Sequence, residues 1–517
     1  MRILLVGAGG VGGAAAAIAV GRDFVEQLVV ADYDLDRARA VVDRLGDPRL
    51  TAIRLDASDE AAVTAALAEH HAGALLNATD PRFVMPLFRA ALAGGATYLD
   101  MAMSMSVPHP EAPYEQTGVK LGDEQFALDD AWREAGLLAL VGIGVEPGLS
   151  DVFARYAADH LFTTIDELGV RDGANLTVEG HEFAPPFSIW TLIEECLNPP
   201  VVWERDRGWF TTPPFSEPEV FDLPAGIGPL ECVNVEHEEV LLMPRWIEAR
   251  RVTFKYGLGE KVIGTLKTLH ELGLSATTPV RVRSAGGSVE VSPREVVAAC
   301  LPDPATLGDR MTGKTCAGLW VRGTGTEGAP REVYLYHVVD NAWSMREYGS
   351  QAVVWQTAIN PVVALELLAT GAWSGVGVLG PEAFDAVPFL DLLTAYGSPG
   401  SCARAADSRA PRAPAVQRPP LQESHVHATW LHERGFPATS GWAAQLVVGR
   451  RRAACAATVR CRSASRCRRT SCRRSMSYCR AASRWRTRSR GDDRAGLLTT
   501  APSGGSPSLE STPFRSS

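Results

Sequence analysis

Cysteine is scarce through the first 400 residues. The four there, Cys196, Cys232, Cys300 and Cys316, are widely spaced and form no CxxC pair. No disulfide framework and no metal site is indicated, and a reducing, cytoplasmic setting fits. Long apolar runs are missing too. The best, residues 352–373, is broken by Gln356, Asn360, Pro361 and Glu366 and reads as a buried globular helix rather than a membrane span. Positive charge is short as well. Of 51 basic and 60 acidic residues, 22 and 6 lie beyond residue 400, leaving 51 − 22 = 29 against 60 − 6 = 54 before it. A body carrying −25 is a poor binder of nucleic acid or anionic membrane. Lysine is absent altogether after residue 400.

What is present is an ordinary globular composition, 517 residues with 46% hydrophobic and 21% charged, enough for two or more domains. The chain is organised around its first 32 residues. Ile3 to Val6 form an apolar run suited to a strand buried on both faces. Gly7-Ala8-Gly9-Gly10-Val11-Gly12 follows at once, residues 14–20 read as a helix, and a second strand, 28–31, ends in Asp32, 32 − 12 = 20 positions after Gly12. Strand, GxGxxG, helix, strand and acid together make a dinucleotide fingerprint. Gly7 permits the tight turn, Gly9 lets the backbone approach a pyrophosphate, and Gly12 lets helix and strand pack closely. The phosphates, with Gly10 and Val11, lie at the positive end of the helix dipole. Asp32 accepts from the ribose hydroxyls and repels a 2′-phosphate, which favours NAD over NADP; Arg37 partly offsets it. A secretory signal is ruled out because the glycines would break its apolar helix.

Alternation continues. Helices at 35–45, 60–69, 83–93 and 121–135 separate strands at 51–55, 74–77, 97–99 and 137–141, which predicts a doubly wound parallel sheet. Ligands bind beyond the carboxyl ends of such strands, so Asp56 falls near the adenine and Asn77 and Thr79 near the nicotinamide. Gly142 to Ser150 then makes a glycine-rich Glu146-Pro147 turn into a helix at 149–160. Beyond it, strand-like runs at 167–170, 252–255, 280–282, 288–291, 318–321 and 332–338, with helices near 188–196, 261–272 and 293–300, predict a second, α+β domain. An apolar helix at 350–370, kinked at Pro361 if continuous, follows. After residue 397 the chain turns rich in Arg, Ser, Ala and Pro. It reads as a disordered tail, as an arginine-rich arm with too few aromatics for base stacking, or as out-of-frame translation of GC-rich coding DNA, which its composition fits best.

GAGGVG with VVADYD, the loops LLNATDP and ATYLDMA, and GIGVEPGLSD together resemble the saccharopine dehydrogenase family; MTGKTCAGLWVRG, YGSQAVVWQTAINPVVA and GVLGPEAF are similar to its C-terminal part. The resemblance covers residues 1–396. It implies a Rossmann domain (1–147), an inserted α+β substrate and dimerisation domain (148–345), and a return to the Rossmann domain (346–397), leaving 398–517 as tail. It also implies a homodimer with NAD(P)-linked chemistry at a carbon–nitrogen bond of an amino-acid or polyamine-like substrate.

Oxidising such a bond requires the amine to lose a proton and the iminium to gain water, both within reach of one carboxylate or histidine. Asp100 and Glu146, at carboxyl ends of strands bordering the crevice, are the candidates. An amino-acid carboxylate calls for a cationic clamp; Arg245 or Lys255 supplies the charge, with His181 as a further polar contact. Tyr114, Tyr156 and Tyr256 lack a lysine four residues on, and no cysteine of the body stands in a nucleophile context. Both facts argue against short-chain and aldehyde dehydrogenase mechanisms. The alternative is a sensor that binds NAD without turnover, against which the large second domain and the GVEPG turn speak.

Overall fold

The computed structural model describes residues 1–398 except residue 285. The arginine-rich segment therefore lies outside the described residues.

Seven parallel strands form the first sheet, in the order Gly377–Leu379, Leu138–Leu140, Thr97–Leu99, Ala74–Asn77, Arg2–Val6, Gln27–Asp32, Leu50–Arg54. The apolar Ile3–Val6 run places Arg2–Val6 centrally, paired in parallel on both sides with Gln27–Asp32 and Ala74–Asn77. Strand order reverses there, which opens the crevice where doubly wound sheets take ligands. Helix starts follow their side chains: Asp34 accepts from Asp36 N and Asp59 from Ala62 N, caps of about 1 kcal/mol each. The expected helix at 121–135 is two short ones, Asp123–Phe126 and Asp129–Glu134. The chain rejoins the sheet's far edge at Gly377–Leu379, beside Leu138–Leu140.

The second sheet is mixed. Its path runs Gly208–Thr211, Val201–Glu204, Ala249–Gly257, Phe162–Ala174, Lys314–Gly325, Pro330–Asp340, with Gly228–Asn234 and Glu219–Leu223 branching from Ala249–Gly257. Strands 162–174, 249–257, 314–325 and 330–340 run several residues beyond the apolar cores that announced them. Strands between 201 and 234 carried no clear alternation in sequence. The pairing of Phe162–Ala174 with Ala249–Gly257 is parallel and sets Asp172 opposite Tyr256. Helix Ala352–Thr370 continues through Pro361 and packs on Gly10–Ala19. Among the described residues it is the one helix long and apolar enough to cross a membrane, and it is mostly buried in the protein.

Candidate active site: a glycine cradle and a carboxylate-lined end

A cleft of about 1370 Å³ runs along the carboxyl ends of the first sheet and under the second. Gly7, Gly9, Gly10, Val11, Asp32, Asp56, Asn77, Thr79, Asp100 and Glu146 all line it; Gly12 does not. Gly12 instead faces its own strand, where a Cβ would lie 1.8 Å from the Gly7 carbonyl oxygen. Gly7 holds φ at +102° and leaves no room for a Cβ beside the Ala78 carbonyl. At Gly9 a Cβ would meet nothing within 4 Å. The space before the helix is open, and the helix start has neither a side-chain cap nor an acid in its first turn. These backbone donors fit a pyrophosphate. Asp32 accepts from Ala8 N (2.8 Å) and Asp34 N (2.9 Å), which fixes its carboxylate on the cleft wall for ribose hydroxyls. Asn77 Oδ1 takes the Thr79 hydroxyl and amide, and its Nδ2 donates to Tyr98. Asp56, out at the exposed rim, is held below the usual carboxylate range by the Ser58 hydroxyl and amide.

Asp100 is buried and fully engaged. One oxygen accepts from Gly142 N (2.7 Å), the other from Gln125 Nε2 (2.8 Å), and its carbonyl accepts from Ile143 N. It anchors the turn that carries Glu146. Burial outweighs these donors and lifts its pKa to about 7. Glu146 is its opposite: both carboxyl oxygens are buried without a donor. Burial first, then the neighbouring Asp172 and Glu239, push its pKa well above the carboxylate range.

The inner end of the cleft is acidic. Asp172, Glu195, Glu236 and Glu238 face it beside Glu146, with His237 among them. Burial raises Glu195 to about 8 and Glu236 to about 7, the latter despite donors from Ser106 Oγ and Asn198 Nδ2. The His237 ring stacks on Phe254 at 3.9 Å and 5°. Its Nδ1 lies 2.5 Å from Glu239 Oε2 and 3.3 Å from Glu238; Nε2 lies 3.8 Å from Glu195. Burial alone would lower its pKa, but Glu239, Glu195 and Glu238 together carry it up to about 10. His237, Glu238 and Glu239 stand close enough to share a cation. The imidazolium fills that role, bonded to Glu239, while Glu238 takes the Met103 amide.

The expected clamp residues lie elsewhere. Arg245 stacks on Phe126 at 3.7 Å and donates to the Leu241 carbonyl, off the cleft; the aromatic contact holds it at the end of its helix. Lys255 points to Glu219 (3.3 Å), and His181 sits in a loop away from the cleft wall. Among the described residues the lysines and arginines on the wall reduce to Arg37 and Arg44, both on Leu35–Leu45 at the adenosine end. The reading of the sequence passed over Asp172, Glu195 and residues 236–239. One signal was there: Glu236-His237-Glu238-Glu239 flanked by Val235 and Val240, a charge run set inside an apolar frame.

Residues 3–140 match the family model described as saccharopine dehydrogenase NADP binding domain, and residues 144–398 match the saccharopine dehydrogenase C-terminal domain. The chain belongs to the saccharopine dehydrogenase family. It is thus an NAD(P)-binding oxidoreductase. A carboxynorspermidine synthase of Vibrio alginolyticus is 28% identical over 406 residues, covering 77% of this chain and 95% of its own. A carboxyaminopropylagmatine dehydrogenase of Synechocystis is 28% identical over 399 residues, covering 77% and 96%. Saccharopine dehydrogenase (L-Glu forming) from Saccharomyces cerevisiae shares the fold, with TM-score 0.55 at 14% identity over 77% of this chain and 98% of that one.

Proposed function

We propose that this saccharopine dehydrogenase family member is an NAD-preferring oxidoreductase acting at the carbon–nitrogen bond of a polyamine-like cation. One observation carries the reading: among the described residues, the inner end of the cleft presents Glu146, Asp172, Glu195, Glu236 and Glu238 and no lysine or arginine. Such a wall suits a substrate with several ammonium groups better than a simple amino acid, which brings fewer of them. The names of the Vibrio and Synechocystis relatives, both carboxylated polyamines, point the same way. The dinucleotide, when bound, supplies or accepts the hydride. The chain does the rest. Gly9 and the start of the first helix hold the phosphates, and Asp32 holds the ribose and disfavours a 2′-phosphate. Glu195, Glu236 and Glu238 orient the ammonium groups, and Glu146 holds the proton that the reacting nitrogen exchanges. Asp100 positions Glu146 by fixing the turn. The working form is a cytoplasmic homodimer.

The test is turnover. Purified protein offered carboxynorspermidine, carboxyaminopropylagmatine, saccharopine and lysine with NAD⁺ or NADP⁺ is expected to reduce NAD⁺ with a carboxylated polyamine. Lysine or saccharopine as the preferred substrate would contradict the polyamine reading, and no turnover with any amine would favour a sensor.

A further inference from the structure

Both carboxyl oxygens of Glu146 are buried without a donor, and the group that acts on it most strongly is another carboxyl of the same cleft wall, Asp172. The two come from different layers. Glu146 sits on the turn after strand Leu138–Leu140, tied down by Asp100, while Asp172 lies near the end of strand Phe162–Ala174, in register with Tyr256. Both reach the cleft wall.

We infer that Glu146 and Asp172 hold a single proton between them and together form the acid–base device of the reaction, with Asp172 as its second catalytic residue. This rests on the proposed chemistry at a carbon–nitrogen bond. Two carboxyls in contact in a buried site cannot both ionise cheaply, so one stays protonated while the other remains a base. The surroundings divide the roles. His237 lies on the side of Asp172 and favours its ionised form, Gly173 N donates to it, and it is raised only to about 6. Burial and Glu239 press on Glu146 and favour its protonated form. Tyr256, Tyr334, Cys232, Cys316, Glu195 and Glu239 also act on or are acted on by Asp172. The proton therefore rests on Glu146.

In the reductive direction the imine carbon receives a hydride from a reduced nicotinamide. The C=N π pair becomes a lone pair on nitrogen, and that pair takes the Glu146 proton. In the oxidative direction the ammonium first gives a proton to Asp172. The nitrogen lone pair then forms C=N as hydride leaves carbon for the oxidised nicotinamide; the pair passes one of its two protons to solvent, and Asp172, ionised again, accepts the proton of the water that adds to the iminium.

Infrared spectra of the full chain at pH 7 test the shared proton without substrate. Glu146→Gln is expected to remove a protonated-carboxyl C=O band, and Asp172→Asn to shift that same band. Either variant alone decides, so loss of one to misfolding leaves the other. In turnover of carboxynorspermidine, each substitution is expected to lower kcat at least 100-fold. The double variant should be no slower than the slower single, while NADH affinity by nicotinamide fluorescence stays within threefold of wild type. A band unchanged in both variants, an Asp172→Asn enzyme within threefold of wild-type kcat, or losses that multiply would overturn the inference. So would failure of both variants to bind NADH, which would make the pair structural. If wild type turns over no amine, the reaction proposed above fails, while the infrared result still decides the shared proton.

Discussion

A single methyl group separates two kinds of glycine in the fingerprint. At Gly12 it would lie 1.8 Å from a backbone oxygen, so the first helix must move off its strand; at Gly9 it would enter open space. Gly12→Ala should therefore destabilise the protein by about 1–3 kcal/mol or more, read as a lowered Tm. Gly9→Ala should leave Tm unchanged and weaken NADH binding at least tenfold by fluorescence titration. The reverse pattern would mean that the two glycines have been assigned the wrong jobs. The residue roles visible in sequence were those written into local spacing, because each fingerprint glycine answers to a neighbour a few positions away or to the next strand. Asp172, Glu195 and His237 gave no such signal. A charged residue is ordinarily solvated, and only the completed second sheet shows that His237 is buried, with Asp172 and Glu195 half-buried around it.

At the scale of elements, the turn from Gly142 to Gly148 decides where Glu146 stands. Gly142 at φ +68° and the 2.6 Å bond from Gly144 N to the Pro147 carbonyl shape it, and Asp100 fastens it to the end of strand Thr97–Leu99. Asp100→Ala strands the Gly142 amide and the Gln125 side chain, at about 1–3 kcal/mol for each lost partner. Glu146→Ala strands no amide, and the loss of the proton shared with Asp172 is offset by removal of a carboxyl that burial disfavours. Thermal unfolding should accordingly show a clear drop in Tm for Asp100→Ala and none for Glu146→Ala. Equal drops would contradict the division of labour between anchor and acid. Six strands of the first sheet were legible to within a residue because their apolar runs repeat with a regular period, whereas the seventh, Gly377–Leu379, is too short to announce itself. The strands at 201–204, 208–211, 219–223 and 228–234 were not, since each is half-exposed or edge-paired and alternates weakly.

Across the whole molecule, the cluster makes stability depend on pH with a definite sign. Asp100, Glu195 and Glu236, together with Glu382 buried beside Asp151 outside the cleft, are raised by burial to about 7 or 8, and His237 ends at about 10. From pH 6.5 to 8.5 the unfolded carboxyls have already lost protons that the folded ones still release, and His237 stays protonated only when folded. The folded state binds more protons throughout, so stability falls as pH rises. His337, lowered to about 4 by burial, is neutral in both states over most of that window and does not oppose the trend. The Tm of the free protein should drop between pH 6.5 and 8.5, and Glu195→Gln should flatten the drop. A Tm that rises over this range would mean that the carboxylates are solvated. The two-domain plan was readable because a βαβ pattern and a change of period mark it; the chemistry of the second half emerges only when distant strands meet.

The central claim is hydride transfer at a carbon bonded to nitrogen. Carboxynorspermidine carrying deuterium on the carbons flanking its secondary amine, incubated with the protein and NAD⁺, tests it by mass spectrometry of the nicotinamide product. The account predicts reduced nicotinamide carrying one deuterium; reduced nicotinamide without label, or none formed at all, would contradict it.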